Sequence, residues 1–139
     1  MPIAERLVYA DSSALVKLVV REQWSTDLAR FLNREADSIV SSALAEIEVI
    51  RGVRVAEAGA EGEEEAHELL SSCALVDIDR DVVEEARNLA GPSLGTLDAI
   101  HLASARRSGA SSLVTYDRQL GRAARELGIR VEAPGASTP

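Results

Sequence analysis

The chain has 139 residues, of which 46% are hydrophobic and only 3% aromatic, so it holds one domain with an aliphatic core. The single cysteine, Cys73, excludes internal disulfides and a cysteine zinc cage. The net charge of −8 lacks the basic excess usual in nucleic-acid binders, although acids gathered to hold a divalent ion would contribute to that sum.

The chain opens with an apolar run, Leu7-Val8-Tyr9-Ala10, that breaks into Asp11-Ser12-Ser13. This pattern predicts a buried strand with Asp11 at its carboxyl end, where open α/β sheets place their ligands. Residues 14–20 read as a short helix. Residues 22–34 carry Trp24, Leu28, Phe31 and Leu32 at helical spacing, which predicts an amphipathic helix whose apolar stripe faces the core or a partner. A second strand is expected at 37–41. Ser42 then offers an N-cap for a long helix over 43–57, and the stretch 58–62 breaks that helix. Residues 63–72 resume as a helix with a solvated acidic face.

A third strand is expected at 74–78, with Cys73 beside it as a small core residue. Asp79 is placed to cap a helix running through Leu89. A loop at 91–93 leads to a mostly apolar helix at 97–105, ended by Ser108-Gly109. A fourth strand at 112–115, a helix at 120–127 and a last strand at 129–131 follow. The tail, 133–139, is small, polar and Pro-containing, so disorder is expected there. Strands alternating with helices predict one α/β domain over 1–132, a mostly parallel sheet flanked by helices on both faces. The chain lacks an apolar stretch of membrane-spanning length, and its N-terminus, with Glu5 and Arg6, lacks the apolar core of a signal peptide. A cytoplasmic protein without membrane attachment is expected.

Several acids fall where a site can form. Asp98 lies in the first turn of its helix, among Leu97, Ala99, Ile100 and Leu102. There the helix dipole favours a carboxylate, and burial would demand that it be paired or metal-bound. Asp117 follows the fourth strand as Asp11 follows the first; each can equally be a helix N-cap. The long middle helix offers Glu46 and Glu48, and helical periodicity does not choose between them. Converging carboxylates raise one another's pKa values unless a cation fills the cluster. Hard oxygen donors suit Mg²⁺ or Mn²⁺, and the matching chemistry is phosphodiester hydrolysis.

Four blocks resemble the PIN-domain ribonucleases, specifically the VapC-type toxins of bacterial toxin–antitoxin pairs, over nearly the whole chain. They are Tyr9-Ala10-Asp11-Ser12-Ser13-Ala14-Leu15-Val16-Lys17-Leu18, Ser41-Ser42-Ala43-Leu44-Ala45-Glu46-Ile47-Glu48-Val49-Ile50-Arg51-Gly52, Thr96-Leu97-Asp98-Ala99-Ile100-His101-Leu102-Ala103-Ser104-Ala105, and Val114-Thr115-Tyr116-Asp117-Arg118-Gln119-Leu120. The third is the most specific. In the second, the family's acid precedes an aliphatic pair and a base, which selects Glu48 over Glu46. The resemblance implies an acidic quartet of Asp11, Glu48, Asp98 and Asp117 around Mg²⁺ or Mn²⁺. Asp11 and Asp98 would bind directly, Glu48 and Asp117 directly or through water, with Ser13 and Thr115 in support. It further implies an RNA substrate such as tRNA, a VapB-like antitoxin that covers the site, and a homodimer.

His101, three positions beyond Asp98, can be read as a general base, but a buried hydrogen-bonded histidine is the weightier reading. Arg51 and Arg54 meet RNA phosphate or are solvated bases. Lys17, the only lysine, borders the site or the surface. Two phosphotransfer folds fail on residues: a haloacid-dehalogenase-like phosphatase needs an Asp where Ser13 stands, and a response-regulator receiver needs a lysine on a late strand. A PIN-like module that binds RNA or protein without cleaving is the alternative.

Overall fold

The computed structural model describes residues 5–136. Its core is a five-stranded sheet in the order β3-β2-β1-β4-β5. The strands are β1 (Leu7–Ala10), β2 (Ser38–Ser42), β3 (Ala74–Val76), β4 (Ser112–Val114) and β5 (Val131–Glu132). Every pairing is parallel, with β1 centred between β2 (Tyr9 opposite Val40) and β4 (Tyr9 opposite Leu113). The chain therefore winds outward from β1 in one direction through β3 and restarts on its other side with β4. The switch point between β1 and β4 is where a doubly wound sheet leaves a crevice at its carboxyl edge.

Among the described residues seven helices cover the two faces: α1 (Ser12–Val19), α2 (Ser25–Glu35), α3 (Ala45–Val55), α4 (Gly59–Ser72), α5 (Arg80–Leu89), α6 (Thr96–Ser108) and α7 (Arg118–Glu126). The period-2 alternation of β1 divides the core. Val8 and Ala10 point into a cluster with Leu15, Leu28, Val49, Val53 and Leu70 from α1 to α4. Tyr9 points the other way, into a cluster with Leu113 from β4 and with Val82, Leu102 and Leu120 from α5 to α7. Each fully buried Leu or Val stabilises this arrangement by about 1.5–3 kcal/mol, so the aliphatic composition suffices without aromatics. Cys73 is half-buried and packs against the first cluster.

Differences from the sequence reading are local. The second helix begins at Ser25 rather than 22, because Trp24 takes a left-handed backbone with φ of 73°. Phe31 packs on the core as its stripe predicts. Ser42 does not cap α3; its hydroxyl accepts from the Leu44 amide at 3.0 Å and closes a turn, and α3 starts at Ala45. The last strand lies at Val131–Glu132, because 127–129 close the end of α7 through Leu127, Gly128 and Ile129 amides. Asp79 caps α5 through the Val82 amide at 2.9 Å, as expected. Of the tail expected to be disordered, residues 137–139 lie outside the described residues. Ala133 to Ala136 instead form a turn, closed by the Ala136 amide on the Ala133 carbonyl and anchored where Tyr116 Oη donates to the Pro134 carbonyl at 2.9 Å. Gly135 fits there because φ is +90° and a Cβ would stand 2.6 Å from Trp24. No helix among the described residues is long and apolar enough to cross a membrane.

Candidate active site

Asp11 leaves β1 in extended conformation and caps α1, its Oδ1 accepting from the Ala14 amide at 2.9 Å and the Ser13 hydroxyl at 3.0 Å. Its Oδ2 accepts from Thr115 Oγ1 at 2.5 Å, just beyond β4. The same Thr115 hydroxyl accepts from the Asp117 amide at 3.1 Å. One side chain thus ties the end of β1 to the end of β4 across the switch point. Only 4% of Asp11 is exposed, and burial pushes its carboxyl above the ordinary range despite the hydrogen bonds from Thr115, Ala14 and Ser13.

Asp117 is the N-cap of α7, its Oδ1 accepting from the Gln119 and Leu120 amides at 2.8 and 3.1 Å. Cap and site member are not exclusive, since a cap aims its carboxylate at the strand edge from which the helix departs. Asp98 sits in the first turn of α6. Contrary to the expectation of a buried helix start, Thr96 and Leu97 are exposed and Asp98 is half-buried. Its carboxyl is nevertheless pushed up, first by desolvation and then by the charges of Asp117, Asp11 and Glu48. Hydrogen bonds to the Asp98 carboxylate are absent among the described residues.

Glu48 faces this edge from α3. Its Oε1 accepts from Ser12 Oγ at 2.5 Å and pairs with His101 Nε2 at 2.8 Å. Burial raises the Glu48 carboxyl, but the hydrogen bonds from His101 and Ser12 outweigh it and leave it below the usual range. Glu46 is exposed and lines an adjoining surface groove with Ile50 and Arg54, which Glu48 does not line. The choice that periodicity left open is thereby decided in position: Glu48 is at the edge and Glu46 is not.

His101 is buried, 3% exposed, and its Nδ1 lies 2.7 Å from the Tyr9 hydroxyl. That geometry matches the buried, hydrogen-bonded reading. Lys17 lies at the border of the site, its Nζ 4.9 Å from the centre of the Tyr116 ring and 3.4 Å from Glu22. Arg51 is exposed beside Glu48 in a groove of about 540 Å³ that also includes Ser12, Ile47 and Leu97. Arg54 turns away to pair with Glu63 at 2.5 Å.

Sequence reasoning missed Ser12 and Tyr9. The signal for Tyr9 was available: a hydroxyl in an otherwise aliphatic buried strand must find a polar partner. Among the described residues, no three His, Cys, Asp or Glu side chains stand close enough as placed to enclose one ion. The donor chemistry nonetheless suits a hard cation. The acids offer only carboxylate oxygens, Asp98 is free of hydrogen bonds from described residues, and the charges of three neighbours act on it.

Comparison with known proteins agrees with this fold. The PIN domain family profile matches residues 8–126. Ribonuclease VapC46 of Mycobacterium tuberculosis is 43% identical over 129 residues, covering 91% of this chain and 97% of that protein. Among solved structures, M. tuberculosis VapC20, a sarcin-ricin loop cleaving toxin, superposes with a TM-score of 0.71 at 15% identity, covering 84% of this chain and 94% of that one. A toxin–antitoxin complex from Klebsiella pneumoniae gives 0.65 at 22% identity, covering 79% and 86%. At such identities the two structures speak to the fold alone.

Proposed function

Because the chain belongs to the PIN-domain family, among its VapC ribonucleases, we propose that it is the toxin of a toxin–antitoxin pair, a metal-dependent endoribonuclease that hydrolyses RNA phosphodiester bonds. The observation that supports the metal-dependent part is that the charges of Asp117, Asp11 and Glu48 all raise the Asp98 carboxyl, as a quartet of Asp11, Glu48, Asp98 and Asp117 would. Such a cluster is costly without a cation.

Asp11 and Asp98 are the direct ligands in this reading, and Glu48 and Asp117 bind directly or through water. Mg²⁺ or Mn²⁺, when bound, supplies Lewis acidity, which acidifies water and offsets charge on a phosphodiester. The chain's own residues supply the rest. Thr115, Ser13 and the Ala14 amide orient Asp11 from both of its oxygens. Ser12 and His101 orient Glu48. Arg51, exposed beside Glu48, is placed to meet a phosphate of the substrate strand. The substrate class is RNA, with tRNA the first candidate. The partner is a small VapB-like antitoxin, in keeping with the fold shared with a toxin that was solved in complex with its antitoxin. The protein acts in the cytoplasm as a homodimer, which light scattering of the purified chain would check.

The test is cleavage of an RNA mixture with Mg²⁺ or Mn²⁺ by the parent chain, Asp11→Asn and Asp98→Asn. The parent should cut, EDTA should stop it, and each variant should lose at least about 100-fold, since charge stabilisation at such a site is worth several kcal/mol. A parent that binds RNA without cutting it would return the chain to the binding-module reading. Variants that cut as well as the parent would remove the quartet.

A further inference from the structure

Four polar side chains from four elements form one chain: Tyr9 on β1, His101 on α6, and Ser12 on α1, all buried, beside half-buried Glu48 on α3. Glu48 Oε1 stands 2.8 Å from His101 Nε2 and 2.5 Å from Ser12 Oγ. An ionised carboxylate only accepts, so the hydrogen between them lies on Nε2. Ser12 Oγ, which gives its proton to Glu48, is 3.2 Å from the same Nε2 and offers it a second acceptor.

The other ring nitrogen decides the rest. Nδ1 faces the Tyr9 hydroxyl at 2.7 Å. Tyr9 is fully buried, and burial holds its phenol protonated. A buried hydroxyl proton requires an acceptor. The nearby Ser41 hydroxyl is engaged with the Ala10 carbonyl at 2.7 Å, and Ser104 Oγ is buried without a hydrogen-bond partner. The acceptor that meets hydrogen-bond geometry is the lone pair of Nδ1. Tyr9 also sits on the central strand, paired on both sides.

We infer that Tyr9 is a positioning residue for this site: by donating to His101 Nδ1 it fixes the Nε2–H tautomer, which together with Ser12 holds the Glu48 carboxylate in one orientation. The functional half of this inference rests on the nuclease reading above, and the tautomer does not. The arrangement has the logic of an outer-shell partner that sets the tautomer of the ring holding a functional group. It also gives a buried histidine beside the site a task in orientation.

The experiment uses the full chain. Imidazole ¹⁵N spectra of metal-free protein, with exposed His67 as the internal reference, should show His101 with Nε2 protonated and Nδ1 bare. In Tyr9→Phe, which keeps the ring and removes one hydroxyl, the two nitrogen shifts should move toward each other and the Glu48 carboxyl ¹³C shift should move. A parent spectrum with Nδ1 protonated, or a Glu48 shift unchanged in Tyr9→Phe, overturns the inference. In RNA cleavage, Tyr9→Phe should lower kcat by about 10-fold with KM unchanged. His101→Gln, which keeps an amide donor at the Nε2 position, should retain more activity than His101→Leu. Unchanged kcat in Tyr9→Phe also overturns it. A parent that cleaves nothing yet shows the bare Nδ1 and the Glu48 response supports the positioning chain and counts against the nuclease reading.

Discussion

At Asp98 the fold sets a carboxylate in the first turn of a helix, where the dipole favours it, and then crowds it with like charge. Burial comes first and the charges of Asp117, Asp11 and Glu48 follow, so its proton is released in the folded chain above the ordinary value of 3.8. The unfolded chain releases it near that ordinary value. Between the two, the folded state binds more protons, so this residue's contribution to folding is complete below 3.8 and is lost as pH rises through the folded value. Asp11 has the same sign and Glu48 the opposite one. Asp98→Asn should therefore make the metal-free protein more stable than the parent at pH 7, and no more stable under acid conditions where both side chains are neutral. Urea unfolding at the two pH values, with EDTA present, reads this directly. A variant less stable than the parent at pH 7 would mean that the cluster does not burden Asp98.

Helices α1 and α3 carry Ser12 and Glu48, and they touch where Gly52 meets Val16. A Cβ on Gly52 would stand 2.8 Å from Val16 Cγ2, closer than two methyl groups approach, and the β-branched Val16 has one strongly preferred rotamer in a helix. Glycine inside α3 gives up about 1 kcal/mol of helix propensity relative to alanine, so the close crossing is what requires it. Gly52→Ala should fail to return that gain in the parent and should return it once Val16→Ala has opened the space. The coupling is measurable as a double-mutant cycle of unfolding free energies. Additive effects would show that the crossing tolerates the methyl group.

The same scale shows what sequence could convey. Asp79 as a cap, Gly109 ending α6 and the alternating β1 are local signals, and each is found where its pattern puts it. Left-handed Trp24 is invisible because nothing in its neighbours demands a positive φ, and Ser42 satisfies a turn amide instead of a helix. Asp11, Asp98 and Asp117 stand out by their places at strand ends and in a first helical turn, whereas Glu48 over Glu46 rests on the resemblance of one short block, because periodicity could not separate the two. The chain that holds Glu48 was illegible for a different reason. Its links join residues 36, 53 and 92 positions apart, and only a strand order that places β1 between β2 and β4 brings them together.

Taken as a whole, the molecule is strongly acidic, with a net charge of −8, yet its proposed substrate is a polyanion. Part of the excess, Glu61 to Glu68, lies on α4, which packs against α3 and α1 and is tied to Arg54 through Glu63. In the proposed site, the charges of Asp117, Asp11 and Glu48 act on Asp98, and the same four acids would repel a phosphate backbone. The proposed divalent ion would resolve both conflicts at once, because it would bind the folded arrangement and have no comparable site in the unfolded chain. By mass action it would then add about 2.7 kcal/mol at a hundredfold excess over its Kd, a shift of several degrees in thermal midpoint for a domain of this size. Mn²⁺ should raise the midpoint of the parent and leave the doubly substituted Asp11→Asn, Asp98→Asn chain unmoved, while a monovalent salt at equal ionic strength should do neither. A parent midpoint indifferent to millimolar Mg²⁺ and Mn²⁺ would mean that the four carboxylates do not form a metal site in the free protein.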